Sequence, residues 1–322
     1  MRASFVGYGV LVLVACSGGG GAGSDAGFDA FVARTDGAVE AGAVDARVPD
    51  PEDAAVTDAA LDAAFEVDAS RPTPLCEVSE ERIACVRRSL VLRAAGLDRA
   101  VHFQWPSGEP PSDGFPAVLL FQGTASPAGL AWVGERDGAY GAYYQADVIR
   151  GLLEAGFAVI TPEAQYDGAG AWNTNVAPWN YAWESSPDHA LMLAIFEALE
   201  AGDFGALDAG SLYAAGLSSG GYMSSRVAIT YDGRFRRLAI ASASYATCAG
   251  SFCSVPALEA DHPPTLFLHG GLDSIVPPST MRLYADELER RGVVHSVVVD
   301  PAVGHAWIPA SADAIVTFFR GG

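Results

Sequence analysis

The chain has 322 residues, half of them hydrophobic, enough for one large domain or two small ones with a sizeable core. Its formal charge of −20 argues against a nucleic-acid partner, because phosphate neutralisation needs a basic face. All 19 basic residues are arginine, and no phosphate loop, dinucleotide fingerprint or HExxH motif is present, so no cofactor and no metal is expected.

Residues 1–16 read as a targeting segment. Arg2 supplies a positive start, and the apolar run from Phe5 to Val14 is short for a membrane span. It ends in Leu13-Val14-Ala15-Cys16, which resembles a bacterial lipobox with Cys16 as the lipidated residue. An ordinary cleaved signal with a chance cysteine is the alternative. Either way the chain is expected to be exported: lipid-anchored at the bacterial surface or outer membrane, or secreted.

Residues 17–75 are rich in Gly, Ala and Asp, with twelve acidic residues against Arg34, Arg47 and Arg71. Such a segment cannot bury enough apolar surface to offset its ordering entropy. It is expected to be a disordered, charge-extended tether with an r.m.s. span of about 40–45 Å. A calcium-binding repeat is the alternative, but no loop has the EF-hand pattern. Beyond Cys16, four cysteines remain. Their closeness in sequence predicts Cys76–Cys85 and Cys248–Cys253, one of three possible connectivities, in an oxidising compartment.

From residue 76 the texture becomes globular, and residues 76–322 are expected to form one catalytic domain. Ser89–Leu92 and Val101–Trp105 read as a leading hairpin. Ala117–Phe121 is an apolar strand, Tyr140–Ala155 is helical, and Phe157–Thr161 is a second apolar strand. Ser186-Pro187-Asp188 has the cap, proline and acid of a helix start, and that helix runs to about Glu200. Ser211–Leu217 is a strand and Ser219–Tyr231 a helix. Strands follow at Leu238–Ser242, Thr265–Leu268 and Val294–Val299, with helices at Thr280–Arg291 and Ala310–Phe319. Alternating strands and helices predict an α/β fold with a mostly parallel sheet and helices on both faces.

Chemistry enters at Gly216-Leu217-Ser218-Ser219-Gly220. A nucleophilic serine on a sharp strand-to-helix turn needs small residues at −2 and +2. Only Ser218 has glycine at both; Ser219, Ser224 and Ser225 do not. A capping turn is the bland alternative. A serine hydroxyl needs a base, and His305 lies in a loop between the last strand and the last helix. His262, His269 and His295 are better read as structural. Asp273, just past a strand end, is the favoured partner for His305, with Asp300 as runner-up. The backbone N–H of Ser219, with that of Thr124 or Gly123, is expected to form the oxyanion hole. Trp172, Trp179 and Trp307 are candidate substrate-binding rings, with packing of loops as the equal alternative.

With these residues in hand, the chain resembles the α/β-hydrolase superfamily. Within it, the chain is similar to the extracellular polyhydroxyalkanoate depolymerases and related secreted esterases. Gly216–Met223, Phe121-Gln122-Gly123, Trp183–Asp188 and Gly304-His305-Ala306-Trp307 carry the likeness. The second serine of Leu217-Ser218-Ser219-Gly220 resembles the medium-chain-length type. The resemblance implies a serine esterase acting on an aliphatic polyester or its oligomers through Ser218, His305 and Asp273. The implied partners are that substrate and a membrane reached only through the lipid anchor, for a chain that is expected to be a monomer. A small-molecule carboxylesterase or feruloyl-type esterase, and a non-catalytic surface adhesion lipoprotein, are the alternatives.

Overall fold

The computed structural model describes residues 74–164, 170–248 and 253–321. The leader, Cys16 and the tether up to residue 73 lie outside the described residues. The chain enters through two short strands, β1 (Cys76–Val78) and β2 (Arg82–Cys85), and a hairpin, β3 (Arg88–Ala94) and β4 (Leu97–Gln104). It continues with β5 (Phe115–Phe121), β6 (Val133–Glu135), α1 (Ala142–Glu154), β7 (Ala158–Pro162), α2 (Pro187–Ala201) and β8 (Leu207–Leu217). The second half runs α3 (Ser219–Thr230), β9 (Phe235–Ala241), β10 (Thr265–Gly270), α4 (Pro278–Arg291), β11 (His295–Asp300) and α5 (Ser311–Phe319).

Eight strands form one sheet in the order β11-β10-β9-β8-β5-β7-β4-β3. The pairs from β11 to β7 are parallel; β4 pairs antiparallel with both β7 and β3. This is an α/β-hydrolase fold. The central strands are apolar throughout because both faces are covered. On β5, Ala117, Leu119 and Phe121 enter one core while Val118 and Leu120 enter the other. The first core holds Met192 of α2, Met223 of α3 and Tyr284 of α4; the second holds Ile149 of α1 and Ile315 of α5.

Successive strands are laid down on opposite sides of β5, with β7 on one flank and β8 on the other. The chain order therefore reverses there, and a crevice opens beyond the carboxyl ends of β5 and β8. The loops that follow these two strands carry Gly123-Thr124 and Ser218-Ser219.

Three elements were not foreseen. β1, β2 and β6 form a separate antiparallel sheet in the order β1-β2-β6. Cys76 and Cys85 face each other in the first pair, and their disulfide crosses it. The second disulfide, Cys248–Cys253, is present as expected. Leu75 belongs to the domain, since its carbonyl accepts from the Val86 N–H at 2.8 Å. The α2 start follows the sequence signal: the Ser186 hydroxyl accepts from the Asp188 N–H at 3.1 Å, with Pro187 at the first position. Among the described residues, no helix is long and apolar enough to cross a membrane.

Candidate active site

Ser218 sits between β8 and α3 with φ 55° and ψ −121°, a conformation L-residues rarely adopt. Its neighbours explain how the turn closes. A Cβ on Gly216 would collide with the Gly220 carbonyl, and one on Gly220 would collide with the Phe121 and Gln122 carbonyls. Gly221, which the sequence frame did not require, is equally constrained: a Cβ there would lie 2.5 Å from that of Ala243. The Ser218 N–H is fixed by the Ala241 carbonyl of β9 at 2.9 Å.

Asp273 and His305 come together at the ends of β10 and β11. His305 Nδ1 lies 2.7 Å from Asp273 Oδ2. The other carboxylate oxygen accepts backbone N–H groups from Ile275 (3.0 Å) and Val276 (2.8 Å). Burial pushes the Asp273 carboxyl up. Hydrogen bonds from His269, His305 and the Val276 N–H outweigh it, and hold the group well below the usual carboxylate range. Asp273 is therefore an anion at neutral pH and can only accept. The Nδ1 of His305 must carry the proton, which leaves Nε2 as the basic nitrogen.

His269 contacts the same carboxylate oxygen at 3.4 Å, but its Nε2 lies closer to the Val276 carbonyl, at 2.8 Å. One N–H cannot serve both equally, and the shorter bond is the better hydrogen bond. His269 thus braces the loop that holds Asp273. The other histidines are accounted for elsewhere: His262 bonds Tyr284 and Pro263, and His295 the Val293 carbonyl. Asp300 caps its own turn, accepting from the Ala302 N–H at 2.9 Å.

Ser218 and His305 line one cavity of about 620 Å³, together with Gly123 and Thr124. They share no direct hydrogen bond, and such nucleophile–base contacts commonly tighten only around a substrate. Among the described residues, no acceptor takes up the N–H of Thr124 or of Ser219, the first residue of α3. Gly123 packs directly against Ser218, since a Cβ there would sit 3.8 Å from that of the serine.

The tryptophans correct the sequence reading. Trp172 and Trp307 are buried, and neither they nor the half-buried Trp179 line the cavity. Trp132 is buried too, its indole N–H donating to Thr161 at 2.8 Å. Trp172 instead ties the two halves of the expected oxyanion hole together. Its backbone N–H donates to Ser219 Oγ at 2.9 Å, and its indole N–H donates to the Gln122 carbonyl at 3.0 Å. The Ser219 hydroxyl, not only its backbone, is thus engaged. The Gln122 carboxamide, turned so that both ends are satisfied, donates to the Pro162 carbonyl (2.8 Å) and accepts from the Ala164 N–H (2.6 Å). Behind Trp172, the Asn173 N–H donates to the buried Asp188, which pairs with Arg99 at 3.0 Å. Trp172→Phe keeps the ring and removes the indole donor. It is expected to lower kcat about tenfold with KM within about twofold, because the drift is felt chiefly by the oxyanion. Steady-state kinetics on a soluble ester check this.

The cavity walls came from residues the sequence did not single out: Leu130, Val133, Tyr140 and Ile275, with Leu217 beside the nucleophile. Tyr140 is not the helix start expected of it. Its φ of 56° and ψ of 24° break the chain before α1, and its ring meets His305 edge-on at 6.1 Å. A bulky residue at positive φ is a rare backbone outlier.

Against known proteins, no family model matches the chain. It is 39% identical over 252 residues to the poly(3-hydroxyoctanoate) depolymerase of Pseudomonas fluorescens, covering 78% of this chain and 89% of that protein. Among solved structures, it is similar to the fluorophosphonate-binding serine hydrolase F of Staphylococcus aureus. That match has 17% identity and TM-score 0.48, and covers 73% of this chain and 97% of that one. It is also similar to the acylaminoacyl peptidase of Pyrococcus horikoshii, at 13% identity and TM-score 0.47. That match covers 73% of this chain but 40% of that longer one. The chain is an ester hydrolase with an α/β-hydrolase fold, and it belongs to the poly(3-hydroxyoctanoate) depolymerase family.

Proposed function

We propose that this protein is an exported esterase that cleaves aliphatic polyester, or oligomers of it, through a Ser218–His305–Asp273 triad and an acyl-enzyme. The observation that carries the reading is the 2.7 Å bond between His305 and an anionic Asp273, beside Ser218 in a largely apolar cavity. Ser218 Oγ attacks the ester carbonyl carbon as its proton passes to His305 Nε2. The N–H groups of Ser219 and Thr124 meet the oxyanion. When the intermediate collapses, the carbon–oxygen bond to the leaving alkoxide breaks, and His305 gives that alkoxide its proton. Water then attacks the acyl-enzyme, losing a proton to His305, and the acid departs as Ser218 regains its hydrogen.

The apolar walls suit the alkyl branches of a polyester better than a polar substrate. Leu130, Tyr140 and Ile275 are exposed at the cavity and give it an apolar rim for contact with an insoluble material. A solid polymer cannot enter a cell, so the enzyme must leave it. Residues 1–16 as a leader, Cys16 as a lipid anchor and 17–75 as a tether fit that need, and two disulfides fit an oxidising compartment.

Clearing of a poly(3-hydroxyoctanoate) dispersion, with release of hydroxyacid oligomers, is the test. Turnover of soluble esters without clearing would favour the small-molecule carboxylesterase or feruloyl-type reading instead.

A further inference from the structure

Helix α1 turns one face to the cavity and the interior, and that face is apolar at Ala142, Ala146, Ile149 and Leu152. Gln145 interrupts it. The residue is only 7% exposed, it lines the catalytic cavity, and its carboxamide makes no hydrogen bond to any other described residue. Its polar atoms are not among the side-chain atoms sealed from solvent, and single polar side chains in otherwise apolar pockets orient ligands. Neither the proton transfers nor the oxyanion hole uses it.

We propose that the Gln145 carboxamide is a specificity contact that binds an oxygen function of the substrate one repeat away from the scissile ester. The inference rests on the polyester reading above. A 3-hydroxyacyl chain carries an oxygen every few carbons, either an ester carbonyl or a terminal hydroxyl. A carboxamide serves both, because its NH₂ donates to a carbonyl and its oxygen accepts from a hydroxyl. A plain alkyl ester offers neither, so the Gln145 carboxamide adds nothing to its binding.

The test compares two esters, dispersed in the same detergent, that share the C8 acyl chain and the branched C8 alcohol around the scissile bond. One is the 3-hydroxyoctanoate dimer capped as its methyl ester; the other is octan-3-yl octanoate, which lacks the flanking oxygens. Gln145→Leu and Gln145→Met are compared with the unmodified enzyme, so that one poorly folding variant does not end the experiment. The expected result is that kcat/KM on the dimer falls about tenfold in the variants, the size of one hydrogen bond. On octan-3-yl octanoate it should change by less than about twofold. Equal losses on both esters would assign Gln145 a packing role and overturn the proposal. No loss on either would show that the carboxamide does not touch substrate, which overturns it too. If the unmodified enzyme cleaves octan-3-yl octanoate but not the dimer, the polyester reading itself fails, and this inference falls with it.

Discussion

Ser218→Ala is expected to lower kcat on a nitrophenyl octanoate by at least about 10³-fold, and by up to about 10⁶-fold if the triad acts as a unit. The substitution removes one oxygen and nothing that holds the fold. The Ser218 N–H keeps its bond to Ala241, and the Gly216–Gly220 contact that allows the turn is untouched. The melting temperature should therefore stay near that of the unmodified protein, while the residual rate reflects the oxyanion donors and binding alone. A stable variant that keeps most of its activity would remove Ser218 from the reaction.

Asp273→Asn is expected to cost about 10⁴-fold in kcat. The carboxamide oxygen that this substitution introduces could still accept from the Ile275 and Val276 N–H groups, so the loop has no reason to collapse. Two things are lost. The anion that stabilises the imidazolium of His305 is gone, and an NH₂ facing Nδ1 would favour the wrong tautomer. The same substitution has a signature in stability. Because the folded Asp273 carboxyl is held below its unfolded value of about 4, its contribution is fully present above that pH. It is lost as the pH falls from there through the lower folded value. The variant should show a shallower loss of stability in that acid window than the unmodified protein, as measured by thermal or denaturant unfolding across pH.

The strained turn at Ser218 was legible because its constraint is local and steric. Only a residue flanked by glycines two positions away on each side can make this turn, and both collisions are real in the structure. Asp273 and His305 were legible because parallel strands end at one edge, so residues just past strand ends converge there. The Ser186–Asp188 helix start was legible for the same local reason. The small β1-β2-β6 sheet was not. Its strands span three or four residues, too few for alternation to show, and Arg82 pairs with Glu135 across a long stretch of chain. The tryptophans misled because composition says that a ring wants apolar contact and not which side supplies it. Trp172 and Trp307 found theirs in the interior. The cavity walls were hidden for a related reason: Leu130 and Tyr140 lie in short 3-10 turns and Ile275 in a loop, segments too short for a period to show.

The central claim is covalent catalysis at Ser218, and a nitrophenyl alkylphosphonate tests it most directly. Such a reagent reacts with an activated serine and stalls as a stable adduct. One phosphonyl group per chain is expected on the peptide carrying Ser218, with activity lost in step, and no labelling of Ser218→Ala. Labelling at another residue, or full activity in a protein that carries no label, would contradict it.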